Sequence, residues 1–347
     1  MSTVVRQTYE EINSQGQVWQ ATLAGFAGRQ DVVQEWHTQP HNDILFTGCG
    51  STYYLSLSAA AIWRSLTGEM ARAMPASEVW LFPEMAFRGG STLLAAVSRS
   101  AETSETIRAA QVYHAQTNYD FLSLTCYADR GLALQTPLTL VADQAMEQSV
   151  VQTRAFTSLL LLAQAAAAIA AKQPDNLARL GALALAFDRL IRDYEPLAKR
   201  LAQNQHLQRF VFLGSGIQYG LACEAMLKMK ETSLSSSEAF HFLEFRHGPV
   251  SVVGPGTLIV GLLSNPARYY ENQVLQELRQ MGATVLALAD DCHGVSADEL
   301  IELGSGLPDV LRAPLELPIL QLLAYYRALE NGLNPDEPKN LMAVVRL

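Results

Sequence analysis

The segment Phe46-Thr-Gly-Cys-Gly-Ser-Thr-Tyr53 returns as Phe212-Leu-Gly-Ser-Gly-Ile-Gln-Tyr219, 166 positions further along the chain. Two more pairs follow in the same order at nearly the same offset: Leu93-Leu-Ala-Ala-Val97 with Leu258-Ile-Val-Gly-Leu262, and Phe121-Leu-Ser-Leu124 with Val285-Leu-Ala-Leu288. Generic strand-turn-helix units resemble one another by chance, but three matches in order at nearly the same offset point to duplication of a whole folding unit. Within the first copy, apolar runs at 43–50, 92–98, 121–127 and 138–142 read as strands. Helical stretches at 52–67, 103–116 and 155–171 separate or follow them. Buried β-rich runs alternating with helices of ten or more residues predict a parallel sheet covered on both faces.

A chain of 347 residues has room for two such units. The boundary is expected in the polar helical stretch 173–208. The resulting division is an N-terminal helical arm at 1–35, a first domain at 36–172, a connector at 173–208 and a second domain at 209–347. Lys and Arg number 25 against 34 Asp and Glu, a net charge of −9. Such a balance carries no general attraction for nucleic acid or an anionic membrane. The N-terminus shows no apolar stretch of the secretory kind. The most apolar segment, 155–171, is interrupted by Thr157, Ser158 and Gln164 and is too short to span a bilayer. Cys49, Cys126, Cys223 and Cys292 are widely separated and read as reduced core thiols of a cytoplasmic protein. No cluster of His, Cys or carboxylates at ligand spacing is evident, so no metal and no cofactor are expected.

Two hydroxyl-rich turns stand where strands hand over to helices: Gly48-Cys-Gly-Ser-Thr52 and Ser98-Arg-Ser-Ala-Glu-Thr103. Exposed backbone N–H groups and the positive end of a helix dipole favour an anion there. Ser and Thr are also ordinary helix N-caps, so either turn alone is weak evidence. In a doubly wound sheet, however, loops at the carboxyl ends of neighbouring strands converge, bringing Ser51 and Thr52 toward Ser98 and Ser100. The matching point of the second copy reads Ser264-Asn-Pro-Ala-Arg268 and has lost the repeated hydroxyls. Gly214-Ser-Gly216 lacks the third glycine of a dinucleotide fingerprint, which disfavours NAD. Glu224, Lys228 and Glu231 fall at i, i+4 and i+7 of a predicted helix and share one face. That pattern suits a solvated charged face as well as a catalytic one. His247 follows in a loop. A carboxylate and an imidazole within reach of one anchored sugar phosphate would suit proton transfer between adjacent carbons.

These motifs, with Glu147 to Thr157 (EQSVVQTRAFT), Phe245-Arg-His-Gly-Pro249 and Pro338-Lys-Asn-Leu341, occur in a family's order and spacing. The chain resembles the sugar-isomerase (SIS) double-domain family, in particular the isomerase half of glucosamine-6-phosphate synthase without its glutaminase domain. The resemblance implies an α/β fold of two tandem SIS domains, each a five-stranded parallel sheet flanked by helices on both faces. It implies that Ser51, Thr52, Ser98, Arg99, Ser100 and Thr103 hold a sugar phosphate, and that Val150 and Gln152 line the sugar. It further implies Glu231 as the C1/C2 proton carrier with Lys228 beside it, and His247 as a ring opener supplied across a homodimer interface. Ala343 stands where the synthase has a tail lysine that engages the ketose carbonyl, and residue 2 is Ser rather than a glutaminase cysteine. These departures shift the expectation from synthesis to an isomerase or deaminase acting on an amino-sugar phosphate such as glucosamine 6-phosphate. A fructosamine-6-phosphate deglycase and a non-catalytic sugar-phosphate sensor are the alternatives.

Overall fold

The computed structural model describes residues 6–87 and 91–347. The chain opens with helices α1 (Gln7–Asn13), α2 (Gln15–Ala27) and α3 (Gln30–His37). The first repeat then runs β1 (Asp43–Gly48), α4 (Ser51–Thr67), β2 (Ala71–Pro75), α5 (Ala76–Leu81), α6 (Pro83–Ala86) and β3 (Thr92–Ser98). It continues through α7 (Ser104–Thr117), β4 (Leu122–Thr125), β5 (Thr139–Val141) and α8 (Arg154–Ala170). Helices α9 (Pro174–Leu180) and α10 (Leu183–Gln203) lead to the second repeat: β6 (Arg209–Gly214), α11 (Ile217–Ser233), β7 (Ser236–His241), β8 (Thr257–Leu262), α12 (Arg268–Gln280), β9 (Thr284–Ala289) and β10 (Glu299–Glu302). Helices α13 (Asp309–Arg312) and α14 (Pro318–Glu330) complete it.

Each repeat builds a five-stranded, all-parallel sheet, with orders β2-β1-β3-β4-β5 and β7-β6-β8-β9-β10. The two orders are the same permutation, and β6 and β8 occupy the places of β1 and β3. The duplication read from three short segments is therefore a duplication of topology. Edge strand β5 falls within the run read as a strand at 138–142, whereas edge strand β2 escaped the sequence reading because it is only partly covered. β2 (ARAMP) is half-buried along most of its length, whereas every residue of β3 is buried.

The fold divides into two compact units. One contains Ser14–Glu147, Arg154–Ala184 and Met342–Leu347; the other contains Gln148–Thr153, Leu185–Leu341 and the segment ending at Asn13. In the first, Leu45, Leu94 and Ala96 pack against Ala109, Ala110 and Tyr113 of α7 and Val79 of α5. On the opposite sheet face, Phe46 meets Trp63 of α4 at 6.0 Å between ring centroids. Trp19 and Trp36, from the opening helices, are buried in this unit, the Trp19 indole donating to Thr157 Oγ1 of α8 at 2.9 Å. In the second unit, Val211, Leu213 and Ile259 pack against Val274, Leu275 and Leu278 of α12, while Phe210 lies under the Arg327 guanidinium of α14. Helix α1 is fixed here: Asp336 accepts from the backbone N–H of Gln7 and Thr8 at 3.2 and 2.8 Å, a carboxylate at a helix N-terminus. Among the described residues no helix is long and apolar enough to cross a membrane.

Candidate active site

The turn after β1 is shaped by glycine. At Gly48 a Cβ would stand 2.5 Å from Thr52 Oγ1 and 2.7 Å from the Thr52 carbonyl carbon. Gly50 adopts φ 53°, ψ −122°, a region L side chains avoid. The tight turn lets Thr52 Oγ1 meet both Cys49 N–H and Cys49 C=O at 2.9 Å. Gly214 and Gly216 repeat the arrangement: a Cβ on Gly214 would stand 2.5 Å from the Gln218 carbonyl carbon, and Gly216 has φ 58°, ψ −119°. Ser51 and Thr52 open α4 in a buried position.

The turn after β3 is equally fixed. Ser98, Arg99 and Ser100 are buried, and Ala101 takes φ 57°. The Arg99 carbonyl accepts from Cys126 N–H at 3.1 Å and Thr125 Oγ1 at 3.2 Å, and the Ala101 carbonyl from Leu132 N–H at 2.7 Å. Ser98 Oγ and Thr103 Oγ1 lie 3.4 Å apart, and Glu102 N–H donates to Ser100 Oγ at 3.1 Å. The Arg99 guanidinium pairs with the fully buried Glu147 at 3.2 Å and donates to the Ala343 carbonyl at 3.2 Å. It is thus held by protein on at least two sides. The tail continues across this turn: Ser104 N–H donates to the Val345 carbonyl at 3.4 Å, and Arg346 pairs with Glu102 at 3.1 Å. Ala343, the position where a lysine was expected from the resemblance, therefore presents its backbone carbonyl to Arg99.

The corresponding place in the second repeat carries its own anion. Glu271 of α12 is buried, and its carboxylate accepts from Ser264 N–H at 2.7 Å and Ser264 Oγ at 3.0 Å. Burial pushes its pKa up, opposed by these hydrogen bonds and one from Ser215. The loops after β6 and β8 thus close on a side-chain carboxylate, whereas those after β1 and β3 offer hydroxyls.

Helix α11 carries Glu224, Lys228 and Glu231 on a face that is not solvated. Glu224 is fully buried, the Lys228 side chain is 2% exposed and that of Glu231 is 14% exposed. Lys228 Nζ lies 3.0 Å from Glu224 Oε1 and bonds Glu231 Oε1. The face is an ion triad withdrawn from water, with Glu231 its most accessible member. Burial lowers the Lys228 pKa, but the Glu224 and Glu231 carboxylates outweigh it and hold the ammonium above its ordinary value. In the same unit, Val150 and Gln152 lie in the segment Gln148–Thr153. That segment is tied down by Glu11, whose carboxylate accepts from Gln148 N–H at 2.6 Å and from the Ser149 hydroxyl. Gln152 Oε1 is buried and accepts no hydrogen bond among the described residues. His247 is exposed on this chain, next to the exposed Leu243 and the positive-φ Gly248.

The four cysteines are unpaired, and three of them are buried. Burial pushes the thiols of Cys49, Cys223 and Cys292 up to about 11, so they are poor nucleophiles near neutral pH.

Known proteins resemble this chain in sequence and in fold. The glutamine–fructose-6-phosphate aminotransferase (isomerizing) of Pseudomonas aeruginosa is 30% identical over 96% of this chain and 57% of its own length. The chain spans about half the length of the curated relatives it matches. The glucosamine-6-phosphate deaminase of Thermotoga maritima superposes with a TM-score of 0.75 at 25% identity, covering 98% of this chain and 100% of that one. The tagatose-6-phosphate ketose/aldose isomerase of Escherichia coli gives a TM-score of 0.86 at 24% identity, covering 97% and 96%. The profile of the SIS domain matches residues 39–169 and again 204–299. With two matches falling on two sheets of one strand order, the chain belongs to the SIS domain family and carries the domain twice.

Proposed function

We propose that the protein is a phosphosugar isomerase of the deaminating type, converting an amino-sugar phosphate such as glucosamine 6-phosphate, with water, to fructose 6-phosphate and ammonia. The observation that carries this reading is the α11 triad. Withdrawing three charges from water costs several kcal/mol per ion, repaid only by close pairing, and a purely structural helix face has no need of them. The half-length match to an isomerizing aminotransferase and the full-length match to a deaminase support the same chemistry.

In this reading Ser51, Thr52, Ser98, Ser100 and Thr103 take the phosphate through hydroxyls and the N-terminal turns of α4 and α7, with Arg99, braced by Glu147, as the cationic edge of the cradle. Val150 and Gln152 line the sugar, Gln152 Oε1 accepting a sugar hydroxyl. His247 assists opening of the hemiacetal and acts in a partner subunit of a homodimer; its exposure on its own chain supports this role. Glu231, positioned by Lys228, removes the C2 proton of the open aldehyde to give an enolamine and returns it to C1. Water then adds to the resulting C2 iminium, and ammonia leaves with the electron pair of the C–N bond.

Incubation with glucosamine 6-phosphate should release ammonia and fructose 6-phosphate in equal amounts. Glu231→Gln should lose about 10²-fold or more in rate while retaining substrate affinity in calorimetry. Tight binding without turnover by the unmodified protein would overturn the enzymatic reading, and release of an amine only from a fructosamine 6-phosphate would move it to deglycation.

A further inference from the structure

The sequence offered no ligand cluster, yet the fold assembles one at the amino-terminal edge of the first sheet. His37 ends α3, His41 precedes β1 and Glu69 precedes β2, and none of them enters the chemistry above. His37 Nε2 lies 3.0 Å from both Glu69 carboxylate oxygens, and His41 Nε2 lies 3.8 Å from Glu69 Oε1. One donor atom from each residue fits within a span of 4.8 Å. Three donors at roughly 2.0–2.2 Å from a tetrahedral ion stand about 3.3–3.6 Å apart, between the two separations found here.

Groups behind two of the donors hold them in orientation. His41 Nδ1 is 2.8 Å from the Gln39 carbonyl, which can only accept. Nδ1–H therefore donates to that carbonyl, and Nε2 is the ring nitrogen turned toward Glu69. The Trp63 indole N–H donates to Glu69 Oε2 at 2.9 Å and fixes the carboxylate plane. An ion pair between His37 and Glu69 accounts for the first histidine. His41 Nε2, at 3.8 Å from Glu69 Oε1, is beyond hydrogen-bond distance and is not accounted for in that way. A cation seated among the three side chains would engage all of them.

We propose that His37, His41 and Glu69 form a binding site for one divalent ion of the Zn²⁺ class. Two imidazoles and one carboxylate are a borderline donor set that suits zinc and its neighbours better than calcium or magnesium. The side chains are 23%, 13% and 33% exposed, so a hydrated ion can enter and keep a water as its fourth ligand. The site joins the end of α3 to the entries of β1 and the edge strand β2, as a staple on the sheet.

Chelator-stripped full-length protein, titrated with ZnCl₂ in calorimetry, should take up one ion per chain with a Kd in the micromolar range or below. Co²⁺ at the site should give a visible d–d absorption band. His41→Asn and Glu69→Gln should each weaken zinc binding at least about 10-fold and abolish the cobalt band, whereas His293→Asn, away from the cluster, should change neither. Circular dichroism confirms that each variant is folded, and Trp63→Phe provides an independent probe that should weaken binding while leaving all three ligands present. Absence of saturable binding by the unmodified protein, or binding that survives in both ligand variants, overturns the proposal.

Discussion

Lys228 neutralises two carboxylates in a space almost free of water, so its removal is felt far more than the loss of an ordinary surface charge. Lys228→Met leaves Glu224 and Glu231 facing each other and should destabilise the fold by about 3–5 kcal/mol, measured by urea unfolding at neutral pH. The folded pKa of Lys228 lies above the ordinary value of 10.5, so its contribution is complete below about pH 10 and fades as pH rises through the folded value. The gap between the unmodified protein and the variant should therefore stay level across the neutral range and narrow only in strong alkali. Glu316 behaves differently. Burial pushes its carboxyl from 4.5 up to about 8 despite the neighbouring Arg312 and the hydrogen bond from Gln218. A carboxyl that binds its proton more tightly when folded stabilises fully below pH 4.5, and this stability drains away as pH climbs toward 8. Glu316→Gln should thus gain melting temperature over the unmodified protein at pH 9 and lose that advantage at pH 5. Parallel melting profiles across this range would show that Glu316 does not titrate there. At this scale the sequence placed Glu224, Lys228 and Glu231 on one helix face but left open whether water covered it. Only the burial of those side chains in the folded protein closed that question.

At the scale of elements, the two glycine turns are one device used twice. Gly50 and Gly216 share their backbone angles within a few degrees, and neither would bring a Cβ within 4 Å of a neighbour. Alanine at either place would be resisted by conformation rather than by collision. Gly50→Ala and Gly216→Ala should each cost about 1–3 kcal/mol, measured by chemical denaturation, and the first should also weaken sugar-phosphate binding because it displaces Ser51 and Thr52. Equal losses of stability with binding unchanged in both variants would remove the β1–α4 turn from the proposed phosphate site. These turns were legible because glycine spacing is a local signal. Edge strand β2 was not, because a half-exposed strand carries no continuous apolar run. The His37, His41 and Glu69 cluster was hidden for a related reason: α4 separates Glu69 from the histidines in sequence, and the parallel pairing of β1 with β2 brings the entries of both strands together.

Across the whole molecule, the compact units draw on segments far apart in the chain. Helix α1 and Gln148–Thr153 belong with the second repeat, and Met342–Leu347 with the first. A fragment of residues 185–347 would lose the hydrogen bonds between α1 and Asp336. It should melt well below the intact protein in calorimetry and recover in part when a peptide of residues 1–13 is added. A fragment as stable as the intact chain would show that these segments are ornamental. The periodic, locally encoded features were fixed by the amino-acid order alone: two copies of a parallel sheet, their glycine turns, the hydroxyl-bearing loops and the charged face of α11. Tertiary structure alone decided which charges lose their water, which carboxylate fills the second copy's loops, and which distant side chains meet at the edge of the first sheet. Hydrophobic periodicity and turn chemistry act between neighbours in sequence. Desolvation and ligand geometry depend on atoms that become neighbours only after the chain has folded.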